Sequence, residues 1–193
     1  MALKQGQLVR EPDTGERRQE WGTIAENALR VDRADARVII DALSVDHAGS
    51  FNLFYLIRKH YWTAAGAEHE EVATFLEDAY KRVRKVNDDL AIRIVELGGI
   101  PPNTPPTLQE RAEVPLEAED LYDLRASLEG DLEGYAILIV SMREHIALAE
   151  EKADPGTAEL LREHLEDLED DAHAIERLLE DETLVRAEML KER

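Results

Sequence analysis

A chain of 193 residues with a formal charge of −20 is long enough for one domain with a full core, and too acidic to hold a polyanion by displacing its counterions. It has no cysteine, which excludes disulfides, thiolate metal sites and cysteine nucleophiles. No apolar run reaches the roughly 18 residues of a membrane span, and no apolar signal core opens the chain, so it reads as cytoplasmic with no membrane partner.

Residues 1–22 are polar, are punctuated by Pro12, Gly15 and Gly22, and read as a flexible arm. Lys4, Arg10, Arg17 and Arg18 are balanced there by Glu11, Asp13, Glu16 and Glu20. An arm built to hold DNA should be clearly basic. Residues 23–180 form the expected domain, with a candidate short helix at 23–30. The first long helix is expected from about Asp32 to Trp62, where Val38, Ile39, Ala42, Val45, Gly49, Leu53, Leu56 and Ile57 recur at helical spacing. The second is expected from about Glu68 to Leu97, on Val72, Leu76, Ala79, Val83, Val86, Leu90 and Leu97. Gly98-Gly99 stops it, because glycine accepts the left-handed C-cap.

Ile100-Pro101-Pro102-Asn103-Thr104-Pro105-Pro106 is too rich in proline for helix and opens a long connection over about 98–116, with a turn expected near Leu108–Arg111. A long central crossover makes the second and third long helices of a bundle parallel. The third long helix is expected over about Glu117–Lys152, on Leu121, Leu124, Leu128, Leu132, Tyr135, Ile139, Met142, Ile146 and Ala149. Asp154-Pro155-Gly156 ends it and starts the fourth, with Asp154 as cap and Pro155 in the first turn. Leu161, Leu165, Leu168, Ala172, Ile175 and Leu179 give that helix an apolar face to about Glu180. Residues 181–193 form a charged tail with one more acid than base. The fold class is all-α, a four-helix bundle.

The stretch from Lys59-His60-Tyr61-Trp62 to Leu97-Gly98-Gly99 resembles the core of Dps-type mini-ferritins. Trp62, Gly66, Asp88, Arg93, Leu97, Gly98 and Gly99 fall on that family's frame without a gap. Tyr122-Asp123-Leu124-Arg125, Arg143-Glu144-His145 and Leu168-Glu169-Asp170-Asp171-Ala172-His173 look like halophilic and cyanobacterial members. The resemblance implies a ferritin-like bundle with its long crossover between helices two and three, assembled as a homododecameric hollow shell. It also implies oxidation of Fe(II), usually with peroxide, and storage of the product inside. The family's metal site lies between two subunits, with histidines from the first two helices of one and carboxylates from the second helix of the other.

This chain departs from that ligand set. Tyr61 and Ala73 stand where the family has histidines, and Ile92 stands where it has its last glutamate; Glu77 and Asp88 keep acids. Ala73, Glu77, Asp88 and Ile92 are spaced by 4, 11 and 4, close to whole helical turns, so they share one face. Ala73 and Ile92 carry no donor atom, which leaves Glu77, Asp88 and the Tyr61 phenol as the degenerate site. His60 lies one residue from the ligand position, about 100° round the helix, and would need a bulge to reach it. His60 and His69 otherwise read as ordinary hydrogen-bonded or surface histidines. Asp46 and His47 point apart and read as structural or partner-contacting. On the fourth helix Glu159, Glu163, Glu166, Asp170 and His173 form one stripe, either a solvated face or, repeated about a three-fold axis, a pore lining that draws in cations.

The expected function is a shell that binds or sequesters iron, or another divalent cation, with weak or absent ferroxidase activity and no organic cofactor. One alternative is an active ferroxidase built on a rearranged inter-subunit site. Another is a structural or DNA-protecting shell subunit, although the charge makes DNA a disfavoured partner.

Overall fold

The computed structural model describes residues 15–180. Five helices follow in chain order: α1 (Arg33–Thr63), α2 (His69–Glu96), α3 (Pro105–Arg111), α4 (Leu124–Glu151) and α5 (Pro155–Glu180). The four long ones pack as a ring, α1 on α2, α4 on α5, α1 on α4 and α2 on α5, which leaves α2 and α4 diagonal. This is the expected all-α bundle with its long crossover between the second and third long helices. No described helix is long and apolar enough to cross a membrane.

Each helix begins and ends for a local reason. Asp32 caps α1 by accepting the Ala34 N–H at 2.8 Å. At the end of α2, Gly98 takes φ +90° and Gly99 N–H reaches back to Ile94 O at 2.9 Å. Space also demands glycine at 98, since a Cβ there would sit 2.4 Å from Ala25 O. Ala25 N–H donates to Gly98 O and Gln19 Nε2 donates to the same oxygen, so residues 19–25 lie on this turn. Arg93 then joins the α2 end to the α5 start, donating to Thr157 Oγ1 and Asp154 Oδ1 at 2.8 Å each.

The core holds Leu43, Leu53, Ile57, Leu76, Val83, Leu90, Leu128, Leu138, Met142, Leu161 and Ile175, all fully buried. Each large aliphatic side chain there is worth about 1.5–3 kcal/mol over leaving it exposed.

Three expected boundaries shift. Residues 23–30 make turns around Asn27, which holds Val31 through its side chain, and form no helix. The short crossover helix starts at Pro105 rather than near Leu108. Its two prolines occupy the first turn, where a missing N–H costs nothing, so they open the helix instead of forbidding it. The third long helix starts at Leu124, not Glu117. Asp123 caps it through Ala126 N–H at 3.0 Å, and Leu121, although in register with the apolar face, is 75% exposed. The residues before it are drawn instead toward α1, where Lys59 binds Glu117 and the Asp120 carbonyl. The expectations for residues 1–14 and 181–193 lie outside the described residues.

Candidate metal face and buried polar network

The outer face of α2 carries Ala73, Glu77, Asp88 and Ile92. Glu77 is half-buried and accepts from Lys81 Nζ at 2.7 Å, one turn along the same helix. Asp88 is exposed, and Ile92 is 56% exposed in spite of its apolar side chain. Tyr61 is half-buried with its ring 5.5 Å from that of Tyr80, and Tyr80 packs edge-on against Phe54 at 5.9 Å. Tyr61 is therefore the end of an aromatic cluster. Beside it Arg58 lies over the rings of Phe54 at 4.5 Å and Trp62 at 4.8 Å. Among the described residues no three His, Asp or Glu side chains gather closely enough to hold a metal ion.

His60 does not join this face. Helix α1 runs unbroken through it, so the side chain takes the ordinary helical direction, into the bundle. It is 2% exposed, with Nδ1 2.9 Å from Asp131 Oδ1 and Nε2 3.2 Å from Glu117 Oε2. Burial pulls the His60 pKa down, but the two carboxylates outweigh it and hold the imidazole above its ordinary value. Burial likewise raises Asp131, against the opposing pull of His60. Glu117 is lowered, because Lys59 and His60 outweigh its own desolvation. The imidazole thus lies between two acids. His69, by contrast, is exposed at the start of α2, with Nδ1 2.9 Å from Gly66 O.

Three further sets cross the interior. Tyr135 donates to Asp171 Oδ2 at 3.0 Å, and Arg82 grips both oxygens of the same carboxylate from α2. Burial and the neighbouring acids push the Tyr135 phenol well above its usual range, so it stays a neutral donor. Asp46, fully buried on α1, accepts from Ser141 Oγ at 2.6 Å and His145 Nδ1 at 2.8 Å on α4. His47 points the other way, its nitrogens 3.0 Å from Asn87 O and 2.9 Å from Pro102 O, fixing α2 and the crossover to α1. Asp46 and His47 are thus both structural. The partners of Asp131 and Asp171 went unread in the sequence. Its one signal was an acid on an apolar face: Asp131 between Leu128 and Tyr135, Asp171 between Leu168 and Ile175.

On α5 Glu159, Glu163, Glu166, Asp170 and His173 are all exposed on one stripe. Glu159 lies 3.5 Å from Arg162, and His173 Nδ1 lies 3.3 Å from Glu176.

The ferritin-like domain family matches residues 40–185. The "DNA protection during starvation protein" of Halobacterium salinarum is 46% identical over 159 residues, 82% of this chain and 87% of that protein. A "Nutrient stress-induced DNA-binding protein" of a Synechococcus species is 30% identical, covering 86% of this chain and 94% of its own length. The crystal structure of an archaeal Dps homologue from Halobacterium salinarum superposes with a TM-score of 0.84 at 42% identity, covering 92% of this chain and 99% of that one.

Proposed function

We propose that this chain, which belongs to the ferritin-like family as a Dps-type mini-ferritin, builds a homo-oligomeric shell that takes up iron as cargo and oxidises it poorly. One observation carries the reading. At the positions where the resemblance places donors, α2 presents Ala73 and Ile92, and α1 presents a phenol packed on Tyr80. Iron of either valence prefers imidazole and carboxylate oxygen, and an aliphatic side chain offers neither. Glu77 and Asp88 remain, but Glu77 already answers Lys81. Two acids without imidazole can hold a cation loosely. They do not supply the donor set that favours the ferric product.

Uptake without fast oxidation assigns the work to charge. The exposed acids of α5, repeated around a shell axis, concentrate negative potential and raise the local cation concentration. DNA protection or DNA binding, which the names of the two relatives attach to those proteins, is supported less: a net charge of −20 opposes binding to a polyanion.

Crystals of the assembled protein soaked in Fe(II) and read by iron anomalous scattering test this reading. Peaks at Glu163, Glu166 and Asp170, with none bridging Glu77 and Asp88, are expected. A strong peak on Glu77 and Asp88 with Tyr61 as third ligand overturns it in favour of the rearranged ferroxidase.

A further inference from the structure

His164, on α5, is the one buried histidine left out of the networks described above. It is 2% exposed and faces Asp89 of α2, with Nε2 3.2 Å from Asp89 Oδ2. That contact lacks the alignment of a hydrogen bond, and Nε2 has no hydrogen-bond partner. A ring nitrogen shut away from water without a partner loses its solvation for no return, so something must satisfy it. Asp89 is 30% exposed and lies on the wall of a cavity of about 310 Å³, which is also lined by Ile92, Arg93, Glu96, Gly156 and Leu160. The cavity gives a path from solvent to the carboxylate, which the buried imidazole faces from α5.

We propose that His164 Nε2 and Asp89 Oδ2 form a binding site within one subunit for a single divalent first-row transition ion. The separation fits. Two ligands 3.2 Å apart, each about 2.0–2.2 Å from one ion, subtend an angle of roughly 100° at it, close to tetrahedral or octahedral geometry. The donor chemistry fits as well, since imidazole with carboxylate suits iron, cobalt and zinc, and the imidazole selects against magnesium and calcium. Burial and Lys85 favour the uncharged imidazole, which is the form that binds metal. Glu163 and Asp167 add negative charge around His164, against the positive charge of Lys85. Lys85 Nζ lies 2.9 Å from Asp89 Oδ2 on a side chain 68% exposed, so it can swing into water when an ion arrives. Two protein ligands leave the remaining positions to water, in keeping with the absence of any three-residue cluster among the described residues. The site does not depend on shell formation or on iron oxidation; it borders the Glu77 and Asp88 face, since Asp89 follows Asp88 and Ile92 lines the cavity, but it uses a different carboxylate and an imidazole.

Co(II) titrated into the assembled, chelator-stripped protein tests the site through the cobalt visible spectrum, with a cobalt anomalous map locating the ion. The expected result is one ion bonded to His164 Nε2 and Asp89. His164→Gln is expected to weaken it on the order of 10–100-fold, at least the loss that follows removal of an outer-shell partner. Lys85→Met, a change at an exposed side chain, is expected to tighten it on the order of tenfold by removing the competing ammonium. If His164→Gln fails to assemble, Lys85→Met and the map carry the test alone. No density at His164, or unchanged Co(II) affinity in Lys85→Met, overturns the proposal. Neither result touches the iron-shell reading, because no iron is used.

Discussion

The interior of the bundle and the outer face of α2 treat their acids in opposite ways. Inside, Asp131, Asp171 and Asp46 each have a base or a hydroxyl at hydrogen-bond distance, drawn from another helix. Outside, Glu77 answers a lysine on its own helix, Asp88 is exposed, and the apolar Ala73 and Ile92 stand before and after them. Buried carboxylates must be paired or the fold pays their full desolvation. Exposed ones are free to change without structural consequence. A face can therefore lose its chemistry while the bundle beneath keeps its form, and that is how this chain combines a clear fold with a poor ligand set.

The comparison breaks most visibly if the interior is disturbed. Asp171→Ala strands Arg82 and the Tyr135 hydroxyl. Removing one partner of a buried pair costs roughly 3–5 kcal/mol. Arg82 is 38% exposed and can turn to water, so a loss of about 3 kcal/mol in chemical denaturation is expected. A loss under about 1 kcal/mol would mean the network does not hold the helices together. The matching change outside, Asp88→Ala, is expected to stay within about 0.5 kcal/mol.

A second, smaller effect depends on pH. The folded-state pKa of His60 is raised, so the folded protein binds its proton more tightly than the unfolded chain does. The stability it contributes is fully present below an unfolded value of about 6.5 and is lost as pH rises through the raised value. The stability difference between wild type and His60→Gln should therefore be larger at pH 6 than at pH 9 in urea titrations. A difference that is constant, or larger at pH 9, contradicts a raised His60 pKa in the folded protein.

The smallest expected effects sharpen the outer side of the comparison. Glu166→Gln with Asp170→Asn keeps size and removes charge, and it should slow cation uptake while leaving stability within about 0.5 kcal/mol. Unchanged uptake returns the stripe to a solvated surface. Plasmid DNA should run unretarded in a gel shift at physiological salt, and retardation at sub-micromolar protein would show a DNA contact the charge does not suggest.

The four long helices were legible because their apolar residues recur at helical spacing and because Gly98, Asp154 and Pro155 mark ends that physics requires. The start of α4 was not. Leu121 keeps the period, yet it stays exposed, and the cap at Asp123 overrides the pattern. That Ala73, Glu77, Asp88 and Ile92 share one face could be read because they sit on one helix. The interior sets could not, since His60 meets Asp131 71 residues away and Arg82 meets Asp171 89 residues away. Periodicity shows that an acid faces inward but not which base it meets. The direction of His60 followed from helix geometry, but its destination between Asp131 and Glu117 did not.

Stopped-flow oxidation of Fe(II) by peroxide tests the central claim most directly, with wild type beside the triple variant Tyr61→His, Ala73→His and Ile92→Glu after both are shown to assemble. The donors absent from α1 and α2 would then stand beside Glu77 and Asp88. Wild type should oxidise iron scarcely faster than buffer, and the variant should gain a rapid, saturable phase. Rapid, saturable oxidation by the wild-type protein would contradict the account and establish a working site around Tyr61.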